Sequence, residues 1–308
     1  MRGTLETFPV AAVIVTYNRL EKLKIALKCY ERQTLLPKYL VVVNNCSTDG
    51  TKEYLDEWVK NVSYIKKIVI NTDNNLGGSG GFYIGQKKAL ELDVDWIYLS
   101  DDDAYPEESY FFKINNFLKD KNINDISAVC GKVDQPKKNN GHCVYLNKWN
   151  YPLYTYIPDK EYVEKKVIDI DGTSFVGICI NRRILLKAGL VNKDYFIWFD
   201  DFEQCYRLKK YGSIYALSNC KIYHDISSED IGLSWKTYYG FRNTANFIKN
   251  NLKMQMPYLI TLMILRSCMS FLLKSHSIKE LKVRLTAIKD GLNDSLGKHS
   301  IYKPGWKP

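Results

Sequence analysis

Trp96-Ile97-Tyr98-Leu99-Ser100-Asp101-Asp102-Asp103 is an apolar run that stops on three consecutive carboxylates. Its first five residues have the aromatic and β-branched character of a buried strand. Side chains of an extended chain alternate between faces, so Asp101 and Asp103 are expected to point one way and Asp102 the other. Neighbouring carboxylates repel, and a cation held between them removes that repulsion. The triplet therefore reads as a two-carboxylate claw at the mouth of a sheet, where open α/β sheets place their ligands. The competing reading is an acidic cap for a helix that follows Pro106.

Upstream of this strand the chain alternates strand and helix. Apolar strands are expected over 10–16, 39–43 and 65–70, and helices over 21–32, 51–60 and 82–92. The glycine-rich stretch Asn75-Leu76-Gly77-Gly78-Ser79-Gly80-Gly81 reads as a loop, either a flexible connector or a close backbone approach to a ligand. This rhythm predicts an α/β fold with a mixed, mostly parallel sheet flanked by helices. Downstream, strands are expected over 144–146, 167–170, 174–180, 214–217 and 221–224, with a short helix ending over 185–189 and a helix over 201–211. Residues 134–141 read as a mobile surface loop. From Ser234 onward the pattern is helical, with a break at Pro257.

Charge separates the tail from the rest. The 308 residues are 45% hydrophobic and carry a net charge of +10, and residues 249–308 hold 11 Lys/Arg against three acids, so +8 of the +10 lies there. A nucleic-acid binder spreads its basic groups along a binding face, so that partner is excluded, and a basic, apolar tail points to an anionic membrane surface or to a homo-oligomer contact. The stretch 256–273 is strongly apolar, but Pro257 opens it and Arg266 interrupts it, which favours an interfacial or core helix over a spanning one. The expected division is a catalytic domain over 1–245 and a helical tail over 246–308. Eight cysteines form no C-x-x-C pair and fit a reducing compartment, and the N-terminus has no apolar signal core.

Several further residues carry chemistry. Thr16-Tyr17-Asn18-Arg19 closes the first strand at a turn suited to a nucleotide, yet it contains no G-x-G-x-x-G and no P-loop. Asn44-Asn45 closes the second, where the amides either read a base edge or serve the turn that follows. His224 at the end of a predicted strand is either structural or a third ligand beside Asp101 and Asp103. Asp, Asp and His with open positions suit Mn²⁺, or Mg²⁺ less well, bridging a diphosphate. Asp200-Asp201 follows the aromatic run Tyr195-Phe196-Ile197-Trp198-Phe199 and reads equally as a general base with a raised pKa or as a favourable helix start. The chain holds 23 tyrosines, a composition common in sugar-binding clefts and also in half-buried strands.

Taken together, Val13-Ile14-Val15-Thr16-Tyr17-Asn18-Arg19, Val42-Val43-Asn44-Asn45-Cys46-Ser47-Thr48-Asp49-Gly50-Thr51, the D-x-D-type triplet Asp101–Asp103, Asn75–Phe82, Trp198-Phe199-Asp200-Asp201-Phe202-Glu203 and His224 resemble a family-2 bacterial glycosyltransferase with the Rossmann-like GT-A fold. They are similar to the galactofuranosyl- and rhamnosyltransferase branch that builds bacterial surface polysaccharides, and the resemblance covers about residues 9–245. It implies Mn²⁺ (or Mg²⁺) on Asp101, Asp103 and His224, and a nucleotide-sugar donor held by Thr16, Asn18, Arg19, Asn45, Asn75, Gly77, Gly78 and Asp102. It also implies Asp201 or Asp200 as the base that activates an acceptor hydroxyl, and Trp198 and Phe175 as acceptor-stacking surfaces. The expected reaction is inverting transfer of a sugar, galactofuranose from UDP-galactofuranose first and rhamnose from dTDP-rhamnose second. The acceptor is a saccharide, lipid-linked in that branch, and the expected location is cytoplasmic, peripheral on the inner face of the cell membrane. A non-catalytic nucleotide-binding scaffold is the alternative from another class. The chain departs from the branch at Asn44, where relatives often carry Asp, and in the Trp198-Phe199-Asp200-Asp201 spacing.

Overall fold

The computed structural model describes residues 7–134, 164–226, 233–273 and 277–306, and describes 145–150 and 153–156 by their backbone. In chain order the elements are β1 (Thr7–Thr16), α1 (Leu20–Glu31), β2 (Leu36–Asn44), α2 (Thr51–Trp58), β3 (Lys66–Asn71), α3 (Gly77–Leu90), β4 (Trp96–Asp101), β5 (Ala104–Pro106), α4 (Tyr110–Lys119), β6 (Ile126–Asp134), β7 (Tyr145–Asn150), β8 (Leu153–Tyr156), β9 (Val167–Ile170), β10 (Gly172–Thr173), β11 (Ile178–Asn181), α5 (Arg182–Ala188), α6 (Asp200–Lys209), β12 (Ser213–His224), α7 (Trp235–Asn251), α8 (Met256–Leu272) and α9 (Ile278–Leu292). Two compact units divide the chain. Met1–Asn75, Gly81–Val191 and Gln204–Ile226 form the first, and Leu76–Gly80, Asn192–Glu203 and Ser227–Pro308 form the second. The division therefore falls elsewhere than at residue 246, because the second unit gathers two short segments from the middle of the chain.

The first unit is built on a nine-stranded sheet ordered β3-β2-β1-β4-β11-β6-β12-β5, with β9 paired to β12. β3, β2, β1 and β4 run parallel, as the βα rhythm requires, while β11 inserts antiparallel between β4 and β6. Parallel strands covered on both faces become continuously apolar. Val10–Ile14 and Leu40–Val43 are accordingly buried without alternation. Helix α1 covers them with Leu23, Ala26, Leu27 and Tyr30, one face at i, i+3, i+4 and i+7. Two expected strands, over 214–217 and 221–224, are one long bent strand, β12, whose register against β6 slips between Leu217 and Lys221. The expected strand over 174–180 shortens to β11. Most of the expected loop over 134–141 lies outside the described residues, as do Val144 and Cys143.

The glycine stretch is not a loop. Gly77 opens α3, and Gly81, with Gly85 one turn further on, serves helix-on-sheet packing. A Cβ on Gly81 would lie 2.5 Å from Cγ1 of Val15, and one on Gly85 would lie 2.2 Å from Cγ1 of Val13. The helix axis can come this close to β1 only where side chains are missing. Sequence reasoning went astray because glycine is a poor helix former in isolation, and tertiary contact overrides that preference.

In the second unit α7 and α9 cross closely, since a Cβ on Gly291 would lie 2.2 Å from the carbonyl oxygen of Arg242. Phe196, Tyr238, Tyr239, Val283 and Ala287 form its core. The end of the chain is thus packed structure rather than an appendage. The helical run breaks between Asn251 and Met256, as expected near Pro257, which sits in the first turn of α8, where its missing N–H costs nothing. Tyr258, Leu265, Met269 and Leu272 leave an exposed apolar stripe on α8. Among the described residues no helix is long and apolar enough to cross a membrane.

Candidate active site

The first unit brings the acidic triplet, the end of β1 and the end of β12 to one place. Parallel pairing sets Val15 of β1 beside Asp101 of β4, so Thr16 and Arg19 lie next to the triplet. Immediately after the triplet, β5 pairs antiparallel with β12 and matches Ala104 to His224. The Asp225 N–H donates to the Asp103 carbonyl at 2.8 Å, which closes this ladder. These two registers carry His224 to Asp103 across more than a hundred residues of chain.

The carboxylates are arranged by their partners. Asp102 is 2% exposed, accepts from the Thr16 hydroxyl at 2.7 Å on one oxygen and from Arg19 at 3.1 Å on the other. β4 ends at Asp101, so Asp102 and Asp103 lie in a turn beyond it, and both oxygens of Asp102 are engaged by protein donors. Arg19 also bridges to Asp103 at 2.8 Å. Lys22, which the sequence did not single out, reaches Asp103 at 3.6 Å and Asp225 at 3.5 Å. Burial, with Asp103 beside it, pushes the Asp101 carboxyl up to about 7. Burial likewise raises Asp102 to about 6, against the pull of Arg19. Asp103 is also desolvated, but hydrogen bonding to His224 and the charges of Arg19, His224 and Lys22 outweigh that and hold it below the usual carboxylate value.

A divalent cation fits this donor set. One ligand atom from each of Asp101, Asp103 and His224 lies within 4.8 Å of the others. Oxygen ligands around an ion at roughly 2.1 Å sit about 3–4 Å apart, so a small inward movement would close these three around it. Oδ1 of Asp103 is buried and faces Nε2 of His224 at 3.2 Å. Either a proton carried on Nε2 or a cation held between the two atoms satisfies this contact.

The other expected donor contacts are tied into the fold. Asn18, at φ +52°, accepts from the Thr48 N–H at 2.7 Å and donates its own N–H to the Ser47 hydroxyl at 3.0 Å. Asn44 and Asn45 are each 2% exposed. Asn44 donates to Asn71 at 2.8 Å and Asn45 to Asn75 at 3.3 Å, so both amides are engaged by neighbouring asparagines within the fold. Asp49 then caps two helices, taking the Leu20 N–H at 2.9 Å and the Thr51 N–H at 3.2 Å. Phe175 is 4% exposed and packs edge-on against Phe82 at 4.9 Å, which places it in the core and not on an acceptor surface.

The second unit carries the acidic pair. Asp200 and Asp201 open α6. Asp200 is 7% exposed, and burial pushes its carboxyl up to about 6, while the Ser79 hydroxyl and the backbone N–H groups of the helix start pull it down. Asp201 is half-buried and accepts from the Phe202 N–H at 2.7 Å. The preceding aromatic run is strained. Phe196, Trp198 and Phe199 all have positive φ, at 65°, 65° and 70°. Each such residue costs on the order of 1–3 kcal/mol, and persists only where surrounding structure holds it. Phe196 is the centre of a γ-turn, φ 65° and ψ −58°, closed by the Ile197 N–H on the Tyr195 carbonyl at 2.7 Å. Gly77, at φ +73°, meets this turn so closely that a Cβ would lie 2.0 Å from the Phe196 carbonyl oxygen, while Gly78 faces open space. Trp198 is 46% exposed.

Comparison with known proteins agrees with this geometry. The chain is 30% identical over 130 residues to the galactofuranosyltransferase GlfT1 of Mycolicibacterium smegmatis, covering 42% of this chain and 41% of that protein. The chain therefore matches about two fifths of the length of that relative. It is 21% identical over 305 residues to the dTDP-rhamnosyl transferase RfbF of Shigella flexneri, covering 94% and 97%. Among solved structures, GalNAc-T7 with UDP, GalNAc and Mn²⁺ superposes with a TM-score of 0.64 at 17% identity, over 95% of this chain and 57% of that one. S. aureus TarS 1-349 in complex with UDP-GlcNAc does so with 0.59 at 18%, over 92% and 80%. At these identities the structures speak for the GT-A fold alone. The sequence profile described as glycosyl transferase family 2 matches residues 11–185, more than half of the chain, from within β1 to past the acidic triplet, so the chain belongs to that family.

Proposed function

We propose that this protein is an inverting, metal-dependent glycosyltransferase that moves galactofuranose from UDP-galactofuranose to a saccharide acceptor in bacterial cell-surface polysaccharide synthesis. The observation that carries the reading is the convergence of Asp101, Asp103 and His224 beside the end of β4. The residues would hold Mn²⁺, or Mg²⁺, which when bound neutralises charge on the diphosphate leaving group. Thr16 and Arg19 fix Asp102 and so the shape of the claw, and Arg19, half-exposed, shares its donors with phosphate oxygens. Asn18, Asn45 and Asn75 shape the donor pocket through the turns they hold. Asp201, half-buried at the start of α6, takes the proton of the acceptor hydroxyl as that oxygen attacks the anomeric carbon. Asp200 is buried at the helix start and serves as its cap. One displacement with one base inverts the anomeric centre. Trp198 offers its exposed ring to an acceptor sugar.

Galactofuranose is favoured by the higher identity to GlfT1, and rhamnose from dTDP-rhamnose by the near full-length match to RfbF. Calorimetric titration of UDP and dTDP, with and without Mn²⁺, separates them. Manganese-dependent preference for UDP supports the first donor, preference for dTDP the second, and no metal-dependent binding of either removes the reading. Asp201→Asn is expected to lose transfer by a factor of about 10²–10⁴ while still binding metal and nucleotide, which a non-catalytic scaffold would not show. The acceptor is lipid-linked in this reading, and the α8 stripe meets an anionic membrane surface. Lys253, Arg266, Lys279, Lys282 and Lys289 are exposed around it, and α8 has no acid at all. Leu265→Gln with Leu272→Gln is expected to weaken sedimentation with vesicles containing phosphatidylglycerol, and unchanged sedimentation removes the membrane contact.

A further inference from the structure

We propose that Arg242 and Asn243 are positioning residues that hold the aromatic segment 195–199, and through it fix Trp198 as a stacking platform for the acceptor sugar. The proposal rests on the function proposed above and adds residues that the sequence did not single out. All of its parts lie within the second unit.

Asn243 stands on α7, and its side-chain amide nitrogen donates to three carbonyls of the segment: Tyr195 at 3.0 Å, Ile197 at 3.0 Å and Trp198 at 2.7 Å. These carbonyls converge because the γ-turn at Phe196 and the positive φ at Trp198 fold the chain back on itself. An amide nitrogen with two hydrogens, set opposite three carbonyls, is the group such a turn needs. Arg242 orients it. Its Nε donates to Oδ1 of Asn243 at 2.9 Å, which turns the amide nitrogen toward the segment. Its remaining donors take the carbonyls of Tyr195 at 2.8 Å, Asp194 at 3.3 Å and Gly297 at 2.6 Å.

Arg242 is 1% exposed, and among the described residues it has no carboxylate partner. Its charge is met by carbonyl oxygens and by the rings of Tyr238 and Tyr239, 5.6 and 4.7 Å from the guanidinium carbon. A buried cation with no carboxylate partner, met by carbonyl and amide oxygens and by aromatic rings, is an expensive way to pack two helices, and it is warranted where a strained turn must hold one shape. One turn earlier on α7, Gly240 seats the indole. A Cβ there would lie 3.0 Å from Cε3 of Trp198, so the ring lies against the bare helix backbone and turns its other face outward. Gly240 supports the ring and Asn243 holds the carbonyl of the same residue. That pairing gives a rigid aromatic face directly before Asp200-Asp201.

The test uses the full chain with Asn243→Ala, Arg242→Lys and Gly240→Ala. Each is expected to raise the acceptor KM and lower kcat, together costing roughly 10- to 100-fold in kcat/KM, while UDP affinity measured by calorimetry stays at the wild-type value. A role in folding alone would lower the active fraction and leave the acceptor KM where it is, and that result overturns the proposal. Gly240→Ala leaves the buried polar groups intact, so it decides the matter alone if Asn243→Ala does not fold. Acrylamide quenching of Trp198, taken as the difference between each variant and its Trp198→Phe counterpart, gives a reading without turnover. Increased quenching supports the positioning role even if the wild-type protein transfers neither sugar, which would count against the proposed function only. Unchanged quenching together with unchanged acceptor KM overturns it.

Discussion

Nε2 of His224 faces Oδ1 of Asp103 at 3.2 Å, held there by the pairing of Ala104 with His224 between β5 and β12. The two atoms meet at the contact distance of a hydrogen bond, and Asp101 completes the triangle. His224→Ala and Asp103→Asn are each expected to weaken Mn²⁺ binding at least about tenfold, roughly 1.4 kcal/mol, in calorimetric titration of the metal alone. Unchanged affinity in both variants would mean that the cluster is an ion-pair network without a metal role.

Thr16 gives a cleaner stability test, because its hydroxyl donates to a carboxylate oxygen of Asp102 that is buried at the end of two strands. Thr16→Val keeps the shape and leaves that acceptor without its donor. The expected loss is about 1–3 kcal/mol in urea unfolding, with Thr16→Ser close to wild type. Equal loss in both variants would point to packing as the cause.

Asp200 should give the protein a pH slope. Its carboxyl is raised from 3.8 to about 6 in the folded chain, so between those values the native state binds more protons than the unfolded state. Stability contributed by the protonated form is complete below the unfolded pKa and falls as pH rises through about 4 to 6. Asp200→Asn keeps a helix-capping side chain and cannot ionise. Its melting temperature, relative to wild type, is therefore expected to rise from pH 4 to pH 7, by the equivalent of up to about 2–3 kcal/mol. A constant difference across that range would show that Asp200 titrates normally.

Gly85 tests the reading of the glycine stretch as packed helix. Gly85→Ala would gain helix propensity in a flexible loop, but against Val13 at 2.2 Å it must push α3 off β1. The expected result is destabilisation by about 1–3 kcal/mol. Gly78→Ala, with nothing within 4 Å of its Cβ, is expected to be neutral or stabilising, and chemical denaturation of the pair reads both.

Local patterning determined a good part of this protein. The apolar run 96–100 ending on three carboxylates, the alternation of strands and helices before it, and the polar residues at the strand ends follow from side-chain periodicity and turn chemistry, which act over a few residues. They were enough to give an α/β sheet with acids at the mouth of β4. Tertiary structure decided what needed distant partners. Gly81 and Gly85 became helical because β1 lies against them, and Asn44 and Asn45 became buried because Asn71 and Asn75 come to meet them. Phe175 was withdrawn into the core by Phe82. His224 reached Asp103 only through the short β5, three residues with no periodicity of their own. The hold of Arg242 and Asn243 on the turn at Phe196 was equally illegible, because a buried Arg and Asn on a helix carry no local sign of the carbonyls they satisfy some 45 residues away in sequence. Short-range sterics write the elements into the chain, whereas desolvation and hydrogen-bond satisfaction are settled only by what the fold brings together.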